Sequence, residues 1–128
     1  MITVVAALIK KNDKVLIAKR ATGDLTVINK WEFPGGKVEP NESEEQALAR
    51  EIKEEFELDI KVLKFLTNNI YKYPTKTVDL RLYECEYLFG EFKLHDHSEY
   101  QFVAINDILN YDLAPADIPL AKYLKGDE

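Results

Sequence analysis

With 128 residues, of which 46% are hydrophobic and 31% charged, the chain is long enough for one domain with a real core, and wholesale disorder is excluded. The net charge of −6 argues against sequence-independent binding to nucleic-acid polymers, which needs a basic surface. The single cysteine, Cys85, rules out an intramolecular disulfide, and no signal peptide or apolar run of membrane-spanning length is visible, so a cytoplasmic protein without membrane attachment is expected.

In chain order, Ile2 to Ile9 is β-branched and apolar, the pattern of a buried strand. The polar turn Lys10-Lys11-Asn12-Asp13 leads into Lys14–Lys19, and the two strands are expected to form a hairpin. Ala21 to Lys30 is polar, contains Gly23-Asp24, and makes a loop long enough to cover a ligand. Trp31-Glu32-Phe33 is a short extended piece ended by Pro34, and Gly35-Gly36 then permits backbone conformations closed to other residues.

A helix is predicted from Ser43 to Glu57. Ser43 and Gln46 fit a capping box, and Glu44 and Glu45 fall in the first turn, where the helix dipole favours negative charge. With Leu48 as zero, Ile52 and Phe56 lie roughly 40° and 80° round the wheel and form a core stripe. Glu51, Glu54 and Glu55, at i, i+3 and i+4, share the other flank, and Glu55 borders the buried side. Carboxylates so placed repel one another unless a cation neutralises them, and a divalent metal suits clustered oxygen donors.

Ile60–Tyr71 and Thr77–Leu88 read as further strands, Gly90–Ser98 as a charged loop, and Tyr100–Ala104 as a last short strand. Ile105–Leu109 is expected to make one helical turn. Asp117–Lys125 reads as a second helix, with Asp117 as N-cap and Gly126 as stop. The whole is a layered α/β domain spanning 1–128, a mixed sheet with two main helices. Cys85 is assigned to the core. The histidines of Leu94–Glu99 are read as ordinary loop residues.

Gly36, Glu42, Arg50-Glu51-Ile52-Lys53-Glu54-Glu55 and Leu58 stand at the spacing of the signature box of the Nudix hydrolases, and the chain resembles that family. VVAALI, KVLIAKR and WEFPGGKVEP resemble its MutT-type branch, and the tail from Tyr111 to Leu120 is similar to bacterial CTP pyrophosphohydrolases. The family has glycine where this chain has Glu57, so a different helix exit is expected.

The resemblance implies the Nudix fold, an α/β/α sandwich with a loop–helix–loop box, and hydrolysis of a nucleoside triphosphate to a monophosphate and pyrophosphate with Mg²⁺ or Mn²⁺. It places metal at Glu54, Glu55, the Gly35 carbonyl and Glu51, the last as ligand or as general base. Arg50 would orient Glu51 or pair with Glu42. Asp96 is preferred to Glu99 as the outside carboxylate. Arg20 and Lys76 would bind phosphate, with Lys37 a weaker candidate. For the base, Phe33, Leu113 with Ala114, and Asp117 would form the pocket, with Trp31 in the core. An ionised Asp117 only accepts hydrogen bonds and so suits the amino edge of cytosine. CTP or a modified dCTP is the first expectation and 8-oxo-dGTP the second; a sugar-nucleotide or dinucleotide diphosphate comes third, and a catalytically silent nucleotide-binding module is the alternative of another class. A monomer or homodimer is expected.

Overall fold

The computed structural model describes residues 1–126. Its strands are β1 (Ile2–Lys11), β2 (Lys14–Arg20), β3 (Trp31–Glu32), β4 (Gly35–Lys37), β5 (Asp59–Lys72), β6 (Thr77–Phe89) and β7 (His97–Ala104). The helices are α1 (Glu44–Phe56) and α2 (Ile118–Lys125), and 3₁₀ turns cover Ile105–Asn110 and Pro115–Asp117.

The sheet runs β3-β2-β1-β6-β5, with β4 on β1 and β7 on β2. β1 and β6 are parallel from Ile2↔Val78 to Ile9↔Cys85, and the other pairings are antiparallel. The β1–β2 hairpin pairs only at its tip, Lys10↔Val15 and Lys11↔Lys14. Asn12 and Asp13, both at positive φ, make the turn, a conformation these two residue types tolerate. Beyond the tip the strands part, and β1 pairs with β6 and β4 while β2 pairs with β7 and β3.

The apolar runs of β1, β2 and β6 follow from burial on both faces. Ala6, Leu8, Val15, Ile17, Val78, Leu80 and Leu82 pack on one side with Leu120 and Ala121 of α2. Val5, Ala7, Ile9, Leu16, Ala18, Tyr83 and Cys85 pack on the other with Ala47, Leu48, Ile52 and Phe56 of α1. This is the expected α/β/α sandwich. The predicted stripe Leu48, Ile52 and Phe56 is fully buried, each side chain contributing about 2 kcal/mol. Both halves of the capping box at Ser43 and Gln46 form. Cys85 lies in the core, where burial pushes its thiol up to about 12.

The ends of the two helices differ from expectation. Glu57 adopts φ 56° and ψ 34°, so the exit of α1 keeps the left-handed turn that a glycine would make. His95 Nε2 lies 2.8 Å and Lys93 Nζ 3.8 Å from its carboxylate. Asp117 is no side-chain cap: it sits at φ −86° and ψ −20° at the end of a 3₁₀ turn that already delivers the chain to α2. Gly126, at φ 81°, stops α2 as read. Among the described residues no helix is long and apolar enough to cross a membrane.

Candidate active site

The loop before α1 is built around Arg50. Its Nε and Nη2 each donate to Glu42 at 2.8 Å, Nη1 donates to Glu51 at 2.8 Å and Glu54 at 3.2 Å, and Nη2 also reaches the Lys37 carbonyl at 3.1 Å. Glu42 further accepts the Glu39 amide at 2.9 Å and is held down to about 2, chiefly by Arg50. Arg50 therefore does both things expected as alternatives: it pairs with Glu42 and fixes Glu51. On the helical wheel Arg50 lies roughly opposite the core stripe, so helix periodicity by itself shows neither the Glu42 loop nor the Glu51 contact.

Neither Gly35 nor Gly36 has a positive φ, so backbone freedom is not what these positions require. They require space. A Cβ on Gly35 would overlap the Val5 carbonyl oxygen of β1, and one on Gly36 would overlap the Glu51 carboxylate. β4 lies flat on β1 through Val5↔Gly36 and Ala6↔Gly35, with Glu51 laid over it.

The three helix glutamates are not equivalent. Side-chain exposure is 15% for Glu51, 16% for Glu55 and 59% for Glu54. Burial raises the pKa of Glu51 against the opposing pull of Arg50. Glu55 is pushed up to about 8, first by burial and then by Glu32, Glu51 and Asp96. Asp96 thus lies within electrostatic reach of Glu55, whereas Glu99 faces Lys19 at 3.7 Å on the β2–β7 ladder. Glu55 Oε2 is buried without a hydrogen-bond partner.

These groups suit a hard divalent cation: they are oxygen donors in mutual repulsion, one of them orphaned. The ligand set is not preassembled. Among the described residues no three acidic or histidine side chains converge closely enough to hold an ion, and Arg50 engages Glu51 and Glu54.

Beside the box lie two adjoining cavities of about 110 and 250 Å³, both lined by Val4, Arg20, Glu32, Lys76, Leu80 and Asp117. Arg20 and Lys76 are thus brought together as expected. Burial works against the charge of Arg20, but Glu32, Glu55 and Asp117 hold its pKa above the ordinary value. Phe33, Gly35, Gly36 and Lys37 line the larger cavity; Asp24, Thr26 and Val27, from the loop expected to cover a ligand, line the smaller. Leu113 is not part of the wall. It turns into the core, bridged to Trp31, whereas Ala114 does line the smaller cavity, with Ala116 beside it. Trp31 is in the core as read, edge-on to Tyr111.

Asp117 Oδ2 accepts the Phe33 amide at 2.9 Å. Burial, then Glu32, raises its pKa well above the ordinary value, a shift toward the neutral form and away from the ionised acceptor expected from sequence.

Two residues of this region were missed. Glu32 accepts Arg20 Nη1 at 3.3 Å and lies 2.9 Å from His97 Nε2. His97 is not in a loop but opens β7, buried at 6% exposure. A carboxylate between two buried aromatics, Trp31 and Phe33, was the available signal for Glu32; for His97 there was none beyond its neighbour Asp96.

A family model described as the NUDIX domain matches residues 1–124. The chain is 38% identical over 121 residues to the CTP pyrophosphohydrolase of Escherichia coli (strain K12), covering 94% of this chain and 88% of that protein. It is 30% identical over 115 residues to the 8-oxo-dGTP diphosphatase of the same organism, covering 90% and 88%. Among solved structures, the E. coli ORF135 protein superposes with a TM-score of 0.85 at 34% identity, covering 98% of this chain and 89% of that one. The MutT protein from Methanosarcina mazei Go1 gives 0.85 at 28% identity, covering 98% and 91%.

Proposed function

The chain belongs to the Nudix family, a hydrolase acting on pyrophosphate bonds, and from that premise we propose that it converts a nucleoside triphosphate and water into the monophosphate and pyrophosphate, with CTP or a modified dCTP as preferred substrate. The observation that carries this reading is one cavity lined by two cations, Arg20 and Lys76, and by the Asp117 carboxyl, directly beside the box glycines.

Nudix hydrolases generally use divalent metals; here Glu51, Glu54, Glu55, Asp96 and the Gly35 carbonyl would hold Mg²⁺ or Mn²⁺. When bound, such an ion neutralises phosphate oxygens and lowers the pKa of a water. Arg20 and Lys76 hold the phosphate chain, Arg20 as a planar fork and Lys76 as a point charge. Arg50 occupies Glu51 Oε1, so the second oxygen, packed against Gly36, is the one left for the ion or the attacking water's proton. Catalytic roles thus fall to Glu51, Glu54 and Glu55, with Arg50 in support.

A neutral Asp117 offers one O–H donor and an acceptor side by side, the complement of the ring nitrogen and amino group of cytosine. This replaces the ionised acceptor as the reason for a cytidine preference. The 38% identical CTP pyrophosphohydrolase supports it, and 8-oxo-dGTP is the second candidate, supported by the 30% identical diphosphatase. The protein acts as a monomer or homodimer in the cytoplasm.

The test is a screen of unmodified and oxidised triphosphates with Mg²⁺, counting pyrophosphate against phosphate, on wild type and Glu54→Gln. Cytidine preference with pyrophosphate release, and a folded Glu54→Gln variant that loses most turnover, are expected. Equal rates for all bases would remove the role of Asp117, and unchanged turnover in the variant would remove the metal assignment.

A further inference from the structure

His97 has no part in the reaction as described, yet its buried ring is held on two sides beside the site. Its ring stacks on Phe56, with centroids 5.1 Å apart and planes at 22°. Nε2 lies 2.9 Å from Glu32 Oε2, and Glu32 accepts Arg20 through its other oxygen at 3.3 Å. The stack and the Glu32 contact together fix the plane and the direction of the ring. Nδ1 is buried without a hydrogen-bond partner and lies 3.9 Å from Glu55 Oε2, which also lacks one. A movement of about 1 Å brings this pair to hydrogen-bond distance. Arg20, Glu32, His97 and Glu55 then form one continuous polar chain from the phosphate cavity to the helix carboxylates.

Buried polar atoms find partners in native proteins, so two that face each other unpaired mark a contact completed in another state of the site. We propose that His97 is a positioning residue whose ring, clamped by Glu32 and Phe56, holds Glu55 in the orientation that binds the divalent cation. This rests on the reading of Glu55 as a cation ligand. Removing an outer partner of a metal ligand weakens metal affinity about 10- to 100-fold. A histidine serving the core alone predicts no such effect in a folded variant.

The experiment is a Mn²⁺ titration of the full chain without nucleotide, following free Mn²⁺ by electron paramagnetic resonance, with the thermal midpoint measured alongside. The amide of His97→Gln reaches the place of Nε2 and keeps Glu32; that of His97→Asn reaches the place of Nδ1 and keeps the Glu55 side. His97→Gln is expected to weaken Mn²⁺ binding about 10- to 100-fold, and His97→Asn to stay within about threefold of wild type. Glu55→Gln must also weaken binding. If Glu55→Gln binds Mn²⁺ as wild type does, the reading of Glu55 fails and the proposal falls with it. If Glu55→Gln is impaired while His97→Gln binds normally, the proposal alone is overturned. Should His97→Gln not fold, His97→Phe keeps the stack on Phe56 without a polar atom at the place of Nδ1, and unchanged Mn²⁺ affinity there overturns the proposal equally.

Discussion

Alanine at Gly36 separates the geometry of the box from the stability of the fold. The added Cβ would stand 2.7 Å from Glu51 Cγ. Non-bonded carbons sit at 3.5–4.0 Å, so the overlap is roughly 1 Å. What it meets is a side chain, and Glu51 relieves the clash by swinging outward. That breaks its 2.8 Å contact with Arg50, which keeps Glu42 and faces solvent, so the loss is about 1 kcal/mol, or about 4 °C in thermal midpoint. Turnover suffers more, because a displacement of about 1 Å in a reacting group costs on the order of 100-fold. At Gly35 the added Cβ meets backbone, overlapping the Val5 carbonyl and standing 2.8 Å from Ala6 Cα. β1 is paired along its length with β6 and cannot recede, so Gly35→Ala breaks the β1–β4 ladder and loses about 3 kcal/mol or more. The assay is steady-state pyrophosphate release beside thermal unfolding of both variants. Gly36→Ala turning over within about threefold of wild type, or losing as much stability as Gly35→Ala, refutes the reasoning.

Asp117→Asn keeps an oxygen for the Phe33 amide and removes the buried titrating group. A raised carboxyl pKa in the folded state means that wild-type stability is lost as pH rises through that pKa. The variant's thermal midpoint therefore gains on wild type as pH rises from the ordinary carboxyl range, and a constant difference contradicts the raised pKa. Glu57→Gly relieves a non-glycine left-handed residue whose contacts to His95 and Lys93 are exposed, and the midpoint is expected to rise by about 2–4 °C. A fall shows that those contacts outweigh the backbone cost.

What could be read from the sequence was local. The capping box of Ser43 and Gln46, the stripe of Leu48, Ile52 and Phe56, and the placement of Glu51 and Glu55 along its border all lie within four residues of their partners, and the period of a helix fixes their relative directions. Strand runs buried on both faces announced a covered sheet in the same way. The spacing of the box carried the resemblance to the Nudix hydrolases, and the expected reaction followed from that resemblance.

The tertiary structure decided the rest, because the contacts concerned join positions far apart in sequence. Glu32 and His97 are 65 residues apart, and Phe33 and Asp117 are 84 apart. No periodicity links such pairs; β2 brings the first pair together by pairing with both β3 and β7. Burial then reversed two local readings: Asp117 became a buried side chain of raised pKa holding the Phe33 amide instead of a helix cap, and Leu113 went to the core instead of the pocket. Glycine at 35 and 36 looked like a demand for unusual torsion, and the folded chain makes it a demand for room beside Val5 and Glu51. The pattern of the box was local and legible, while the surroundings of its carboxylates exist only once β1, β2, β7 and α1 have packed together.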